Sequence, residues 1–512
     1  MATPPVNFLI VNPQKGRKRD LFKYLVTKNK KSGMSFLDSS EESIKGGVAN
    51  DHRWILLVSI IIRRILALIN TPLKYLGYVV DFILNLISQN GGISGILSNS
   101  LHGKLIIPRR GSENFVSTIG QLDGRIDLYK TVSLAEKVDG NFSADANNIE
   151  THLGNRYLMD LCIMAAKLVY ENEKVVQNVI DRYWKMHFVA FYDCWNEYQK
   201  ESNTQVFICC DKPKDANLIV ISFRGTEPFN AQDWNTDFDF SWYEIPKVGK
   251  IHIGFLEALG LGTRRDASTF QSHLQRKRAG LFHLNGQSEG TTTELSKKSA
   301  YYDVTSKLKQ LLEEHKNAKF VVTGHSLGGA LAILFPSVLV IQEETEILRR
   351  LLNIYTFGQP RIGDVQLGNF MEAHLNYPKT RYYRVVYCND MVPRVPFDDN
   401  VFAFKHFGTC LYYDSRYFGR FMDEEPNKNF FGLKHIIPMR VNVLWEIFRS
   451  FLISHIHGPE YKESWFCTLF RVLGLVLPGI SAHSPVDYVN SVRLGRERAT
   501  PLLSLKSFAR KL

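Results

Sequence analysis

The sequence predicts an α/β fold, and three features of the chain carry that prediction. Short runs rich in branched and aromatic side chains, at 205–210, 218–223, 353–357 and 381–387, read as strands. An apolar run at 157–170 reads as a helix. Between 320 and 336 the chain reads FVVTGHSLGGALAILFP, a buried strand at 320–323 passing through a glycine-flanked turn into an apolar helix at 330–335.

That turn is the most informative element. Reversing direction so sharply needs backbone approaches that a Cβ would obstruct, and Gly324 and Gly328 remove the obstruction. Ser326 then stands at the top of a strand with its hydroxyl presented, the nucleophile elbow written G-x-S-x-G. The competing reading is a glycine-rich turn whose serine caps the following helix. The strand before and the helix after favour the elbow.

With 512 residues the chain can bury a substantial core. Its formal charge of +12 is uneven, since residues 1–50 hold nine Lys/Arg against four Asp/Glu. A hydrophobic stretch follows directly, which directs the basic segment toward anionic lipid, and no nucleic-acid motif accompanies it. Seven cysteines without C-x-x-C or zinc spacing read as reduced thiols facing the cytosol. The N-terminus places its charges after a brief apolar run, the reverse of a secretory signal, so the chain is not expected to be secreted.

Residues 54–87 are the most apolar part of the chain, and Pro72 divides them into two arms. Helices over 54–70 and 73–87 would be roughly 25 and 22 Å long, short of a hydrocarbon core of about 30 Å. Arg63 and Arg64 oppose a spanning first arm. The prediction is a hairpin or in-plane amphipathic pair that anchors the protein to a membrane or lipid droplet, its arginines at the headgroups. A pair of buried helices packed on the body of the protein is the other reading. The organisation expected is a basic segment (1–50), the anchor (51–90), a connector (91–150), a catalytic domain (151–495) with insertions at 261–300 and 401–480, and a basic tail (496–512).

A serine hydroxyl needs a base, and the base needs a partner that fixes its tautomer. In α/β-hydrolases these follow in the order serine, acid, histidine. Asp390 lies three residues beyond the run at 381–387, whereas Asp364 is further from its own run. His406, His435, His455, His457 and His483 all follow Asp390. His483 opens HSPVDYV in a loop entering a last helix, but position alone leaves His455 and His457 in contention. An oxyanion hole would use the N–H of Leu327, after the nucleophile, and a donor from the loop that follows strand 218–223, where Thr226 offers an N–H and a hydroxyl.

Six motifs in order, FRGT (223–226), HIGF (252–255), GHSLGGALA (324–332), FGQPRIGD (357–364), NDMVPRVPF (389–397) and HSPVDYV (483–489), resemble the lipase class 3 family over about residues 150–495. The basic head and apolar arms look most like its plant oil-body lipases. The resemblance implies an α/β-hydrolase with a mostly parallel central sheet flanked by helices. It also implies a Ser326–Asp390–His483 triad and an oxyanion hole of Thr226 and Leu327. The family's lid falls at 227–237, with Trp234 either on a hinged cover or on a static surface helix. The implied activity is hydrolysis of long-chain acyl esters, foremost triacylglycerol, at the cytosolic face of a lipid droplet or intracellular membrane, with no metal or organic cofactor. Phospholipid or galactolipid esters are the alternative substrates, and an inactive lipid-surface scaffold is the alternative class.

Overall fold

The computed structural model describes residues 7–129, 156–196, 199–274, 299–376, 379–398, 404–430 and 432–497. Its centre is a nine-stranded sheet. Five neighbouring strands run parallel: Leu218–Phe223, Lys319–His325, Leu351–Phe357, Tyr382–Tyr387 and Thr409–Tyr413. The antiparallel pair His187–Asn196 and Glu201–Cys210 extends one edge, and Phe418–Met422 with Arg496–Glu497 extends the other.

Helices cover both faces, so the parallel strands are buried on both sides and read as continuous apolar runs. Alternation still sorts their side chains. Ile219 and Ile221 pack in the core that contains helices Leu327–Ile341 and Ala300–Glu314, while Leu218 and Val220 pack in the core of Arg156–Leu168 and Pro485–Leu494. The α/β fold with a mostly parallel sheet is therefore as expected.

A second, six-stranded antiparallel sheet was not expected from the sequence. It joins strands of two to four residues from distant parts of the chain: Phe404–Lys405, Gly363–Asp364, Gly249–His252, Trp242–Ile245, Phe8–Val11 and Leu37–Ser39. Residues 7–50 are accordingly folded onto the body. Leu9 and Val11 are fully buried, and Tyr24 donates to the carbonyl of Ala49. The short run FLIV is long enough for a strand, and the lysines and arginines that follow it stay at the surface around helix Lys18–Thr27.

The expected hairpin at 54–87 is replaced by one continuous helix, Arg53–Gln89, of 37 residues with Pro72 inside it. Proline in a helix interior forfeits a hydrogen bond and strains its neighbour, at a cost of about 3 kcal/mol. Tertiary contacts on both sides of Pro72 hold the axis. Arg63, 1% exposed, pairs with Asp239 and donates to Asn235, and Arg64 donates to the carbonyl of Pro13 while lying over the Phe36 ring. Beyond the proline, Lys74 pairs with Glu201, and Asn85 exchanges hydrogen bonds with the backbone of Val116. The arginines are thus committed to the protein, not to lipid headgroups. The opposite face leaves Trp54, Ile65, Leu68, Leu76, Val79 and Phe82 exposed. By length and composition this helix could cross a membrane.

In the connector, helices Gly92–Leu101 and Thr118–Leu122 are formed, while 130–155 lie outside the described residues. So do 275–298 of the first insertion and 498–512 of the basic tail. The second insertion is more integral than its reading implies, because it contributes Thr409–Tyr413, the outermost of the five parallel strands, along with helices Ile436–His457 and Trp465–Leu473.

Candidate active site

Ser326 sits between strand Lys319–His325 and helix Leu327–Ile341, with φ 61° and ψ −134°. A non-glycine residue holds such a conformation only where its surroundings enforce it. The Ser326 amide donates to the carbonyl of Phe357, and its own carbonyl accepts from Gly329. A Cβ on Gly324 would stand 2.2 Å from the Gly328 oxygen, and one on Gly328 2.2 Å from the Phe223 oxygen. Both glycines are therefore required by close approach. The Ser326 side chain makes no helix-capping hydrogen bond, which separates the two readings of this turn in favour of the elbow.

Asp390 lies in the turn after strand Tyr382–Tyr387 and is fully buried. Its Oδ1 accepts from the amide of Val392, and its Oδ2 lies 2.7 Å from His483 Nδ1. The hydroxyl of Tyr488 also donates to Oδ2, a contact that sequence reasoning missed. Asp364 does other work, accepting from the amides of Leu367 and Lys250 at the start of helix Val365–Leu375.

Among the candidate histidines, the structure brings His483 to Asp390. The His406 side chain is buried against the carbonyl of Pro393, and His455 and His457 are exposed at the end of helix Ile436–His457. His483 Nε2 is buried and has no hydrogen-bond partner, so the Ser326 hydroxyl is not bonded to it in this conformation. What joins the serine turn to the histidine loop is His325. Its ring stacks on that of His483 at 4.4 Å between centroids. Its Nε2 lies 3.1 Å from the His483 carbonyl, and its Nδ1 3.1 Å from the Tyr170 hydroxyl. Burial, followed by the neighbouring His483, holds the His325 imidazole well below the usual histidine range and keeps it neutral. The only sequence signal for this role was its place beside Ser326.

The loop after strand Leu218–Phe223 abuts the serine, since a Cβ on Gly225 would meet the Ser326 Cβ at 2.9 Å. Thr226 lies buried in this loop, its hydroxyl 3.4 Å from Asp237 Oδ2. Leu327 is the first residue of its helix, where an N–H lacks an intrahelical acceptor and the helix dipole favours negative charge.

Trp234 occupies helix Ala231–Asp237, half-buried, its indole N–H donating to the carbonyl of Pro228. The long apolar helix holds this segment in place. Arg63 reaches Asn235, Ser59 donates to the carbonyl of Phe238, and a Cβ on Gly77 would press into Phe229 at 2.6 Å. A cavity of about 330 Å³ opens between the two, walled by Lys74, Tyr78 and Asp81 on one side and by Arg224, Glu227 and Phe229 on the other. Burial drives the Asp233 and Asp237 carboxyls up to about 7 and about 8. No cluster of metal-binding side chains occurs among the described residues.

The family model for lipase (class 3) matches residues 220–400. Triacylglycerol lipase OBL1 of Arabidopsis thaliana is 54% identical, covering 98% of this chain and 97% of that protein. Triacylglycerol lipase OBL1 of Nicotiana tabacum is 52% identical, covering 97% and 96%. A solved structure of Rhizomucor miehei lipase in complex with its propeptide covers 44% of this chain and 57% of its own, at 25% identity and a TM-score of 0.30. Two relatives matched at more than half their residues along nearly their whole lengths establish kinship, and the chain belongs to the lipase class 3 family.

Proposed function

We propose that the protein is a triacylglycerol lipase, a serine carboxylic ester hydrolase that works at the surface of a lipid droplet or intracellular membrane on its cytosolic side. The observation that carries the chemistry is the Asp390–His483 pair, 2.7 Å apart, stacked through His325 against the turn that presents Ser326. The near full-length relatives named triacylglycerol lipases support the substrate.

In this reading Ser326 Oγ attacks the ester carbonyl while His483 Nε2 accepts its proton. The same nitrogen then returns that proton to the departing glycerol oxygen, with Asp390 holding the imidazolium through Nδ1. The amides of Leu327 and Thr226 donate to the oxyanion, and water repeats the sequence on the acyl enzyme. The unpartnered Nε2 supports this assignment, because catalytic hydrogen bonds commonly close only around substrate. Helix Ala231–Asp237, which follows the Thr226 loop and carries Trp234, is the lid candidate.

The exposed outer face of helix Arg53–Gln89 supports contact with lipid. Its inner face holds the segment that follows Thr226, so deleting the helix would disrupt the site as well as the attachment. Glutamine at Leu68, Leu76 and Val79 is the cleaner probe of attachment. The test of the chemistry is Ser326→Ala assayed on triolein emulsion and on a soluble short-chain ester, with fluorophosphonate labelling of the wild type. Loss of both activities together with labelling of Ser326 is expected, and undiminished hydrolysis by the variant would overturn the mechanism.

A further inference from the structure

Two helices of the second insertion carry an apolar face that stays exposed among the described residues. On Ile436–His457, Ile437, Val441, Leu444, Phe448 and Phe451 recur at intervals of three and four residues, so they form a single exposed stripe. On the following turn and helix, Trp465, Leu469, Val472 and Leu473 are exposed, and Val476 and Leu477 continue the surface. An uncovered apolar area of this extent marks an interaction surface.

The inner faces of the same helices are pinned, not loose. Arg449 donates to Asp487 Oδ1 at 2.6 Å and Arg471 to Asp487 Oδ2 at 2.9 Å, all three side chains being buried. Glu446 accepts from Tyr387, and Glu463 pairs with Arg471. Asp487 lies four residues beyond His483, on helix Pro485–Leu494. A buried ionic network of this kind fixes geometry more than it adds stability. It ties both outward apolar faces to helix Pro485–Leu494, which directly follows the His483 loop.

Charge identifies the occupant. Among the described residues of 434–477, Lys434, Arg440 and Lys462 stand exposed at the rim, whereas Glu460 is the exposed acid. An apolar stripe with a cationic rim fits a layer of acyl chains beneath anionic headgroups. We infer that helices Ile436–His457 and Trp465–Leu473 form a second lipid-docking surface, separate from helix Arg53–Gln89, that seats the phospholipid monolayer of a triacylglycerol droplet and holds His483 at a fixed position relative to it. The inference rests on the lipase reading above.

The experiment compares wild type with Leu444→Gln/Phe448→Gln/Phe451→Gln, and with Arg440→Glu/Lys462→Glu, in the full chain. Each is floated with triolein droplets coated by phosphatidylcholine alone or with phosphatidylserine, and assayed on those droplets and on a soluble short-chain ester. The apolar variant is expected to lose binding and droplet hydrolysis by about tenfold or more on either coat, with soluble-ester hydrolysis unchanged. The charge variant is expected to lose binding only where phosphatidylserine is present. Wild-type flotation by the apolar variant overturns the proposal. So does a wild-type oligomer that this variant dissociates, because the stripe would then seat a second copy of the chain. Failure of the lipase reading would look different, with the wild type binding droplets and hydrolysing neither substrate.

Discussion

Arg63 Nη1 donates to Asp239 Oδ1 at 2.8 Å, and both side chains are sealed from solvent. The contact joins the long apolar helix Arg53–Gln89 to the segment that follows the lid candidate. Arg264 takes the other oxygen of Asp239 at 2.7 Å, so the carboxylate is shared between two guanidiniums. Although burial pushes the Asp239 carboxyl up, Arg63 and then Arg264 hold it well below the ordinary carboxylate range.

Arg63→Ala leaves that carboxylate buried with one cation, and unfolding in urea should show a loss of about 3 kcal/mol. The sign with pH follows from the depressed folded value. The stabilisation is present in full above the ordinary carboxylate value of about 4 and is lost as pH falls below it. The gap between wild type and variant should therefore narrow on acidification below that point. A gap that widens would exclude the ion pair as its source.

What the sequence made legible was local. The elbow at Ser326 rests on glycines two residues either side of it and on a strand and helix directly adjoining them. Asp390 was readable because it follows its strand within three residues. His483 needed the family resemblance, since nothing within its own loop separates it from His455 and His457. Unreadable features depend on distant partners. The Arg63–Asp239 pair spans 176 positions and converts an apparent membrane liability into an internal contact. The second sheet uses strands too short to show a period, and the helix through Pro72 survives because contacts on either side of the proline outweigh the local preference for a break. Tyr488 and His325 are ordinary aromatic residues until the fold places them against Asp390 and His483.

Tyr488→Phe should separate positioning from binding. The Tyr488 hydroxyl donates to the same Asp390 oxygen that faces His483, and it also accepts from the amide of Tyr387. Hydrogen bonds to charged groups are worth about 1.5–3 kcal/mol, so kcat on a soluble ester should fall by roughly ten- to a hundredfold. KM should stay near its wild-type value, because Tyr488 is fully buried. An unchanged kcat would exclude Tyr488 as a positioning residue.

Asp237→Asn should alter the pH dependence of stability. Burial first, and then the neighbouring Asp233, raise the Asp237 carboxyl to about 8, so the folded protein holds a proton that the unfolded chain releases near pH 4. Stability from this group is fully present below about pH 4 and is lost as pH rises through about 8. The asparagine variant keeps an acceptor for the Thr226 hydroxyl without the charge. Thermal unfolding should show the variant gaining on wild type as pH is raised from 5 to 9. Parallel curves across that range would refute the buried-acid account.

Gly358→Ala tests whether the Asp390–His483 pair needs its present separation. Gly358 has φ 59°, and a Cβ there would stand 2.8 Å from Asp390 Oδ2, 2.9 Å from His483 Cε1 and 2.9 Å from the Tyr488 hydroxyl. All three contacts are closer than van der Waals packing permits, so alanine must displace the acid, the base or both. Placing alanine at positive φ adds a backbone penalty of about 1 kcal/mol. Gly103→Ala supplies the control, since Gly103 has φ 66° with open space around it and carries the backbone penalty alone. Both variants should lose similar backbone stability, but only Gly358→Ala should lose activity, by about a hundredfold or more in kcat on a soluble ester. Equal activity in the two variants would mean that the acid and the base tolerate a gap between them, and the close packing around Gly358 would then have no catalytic consequence.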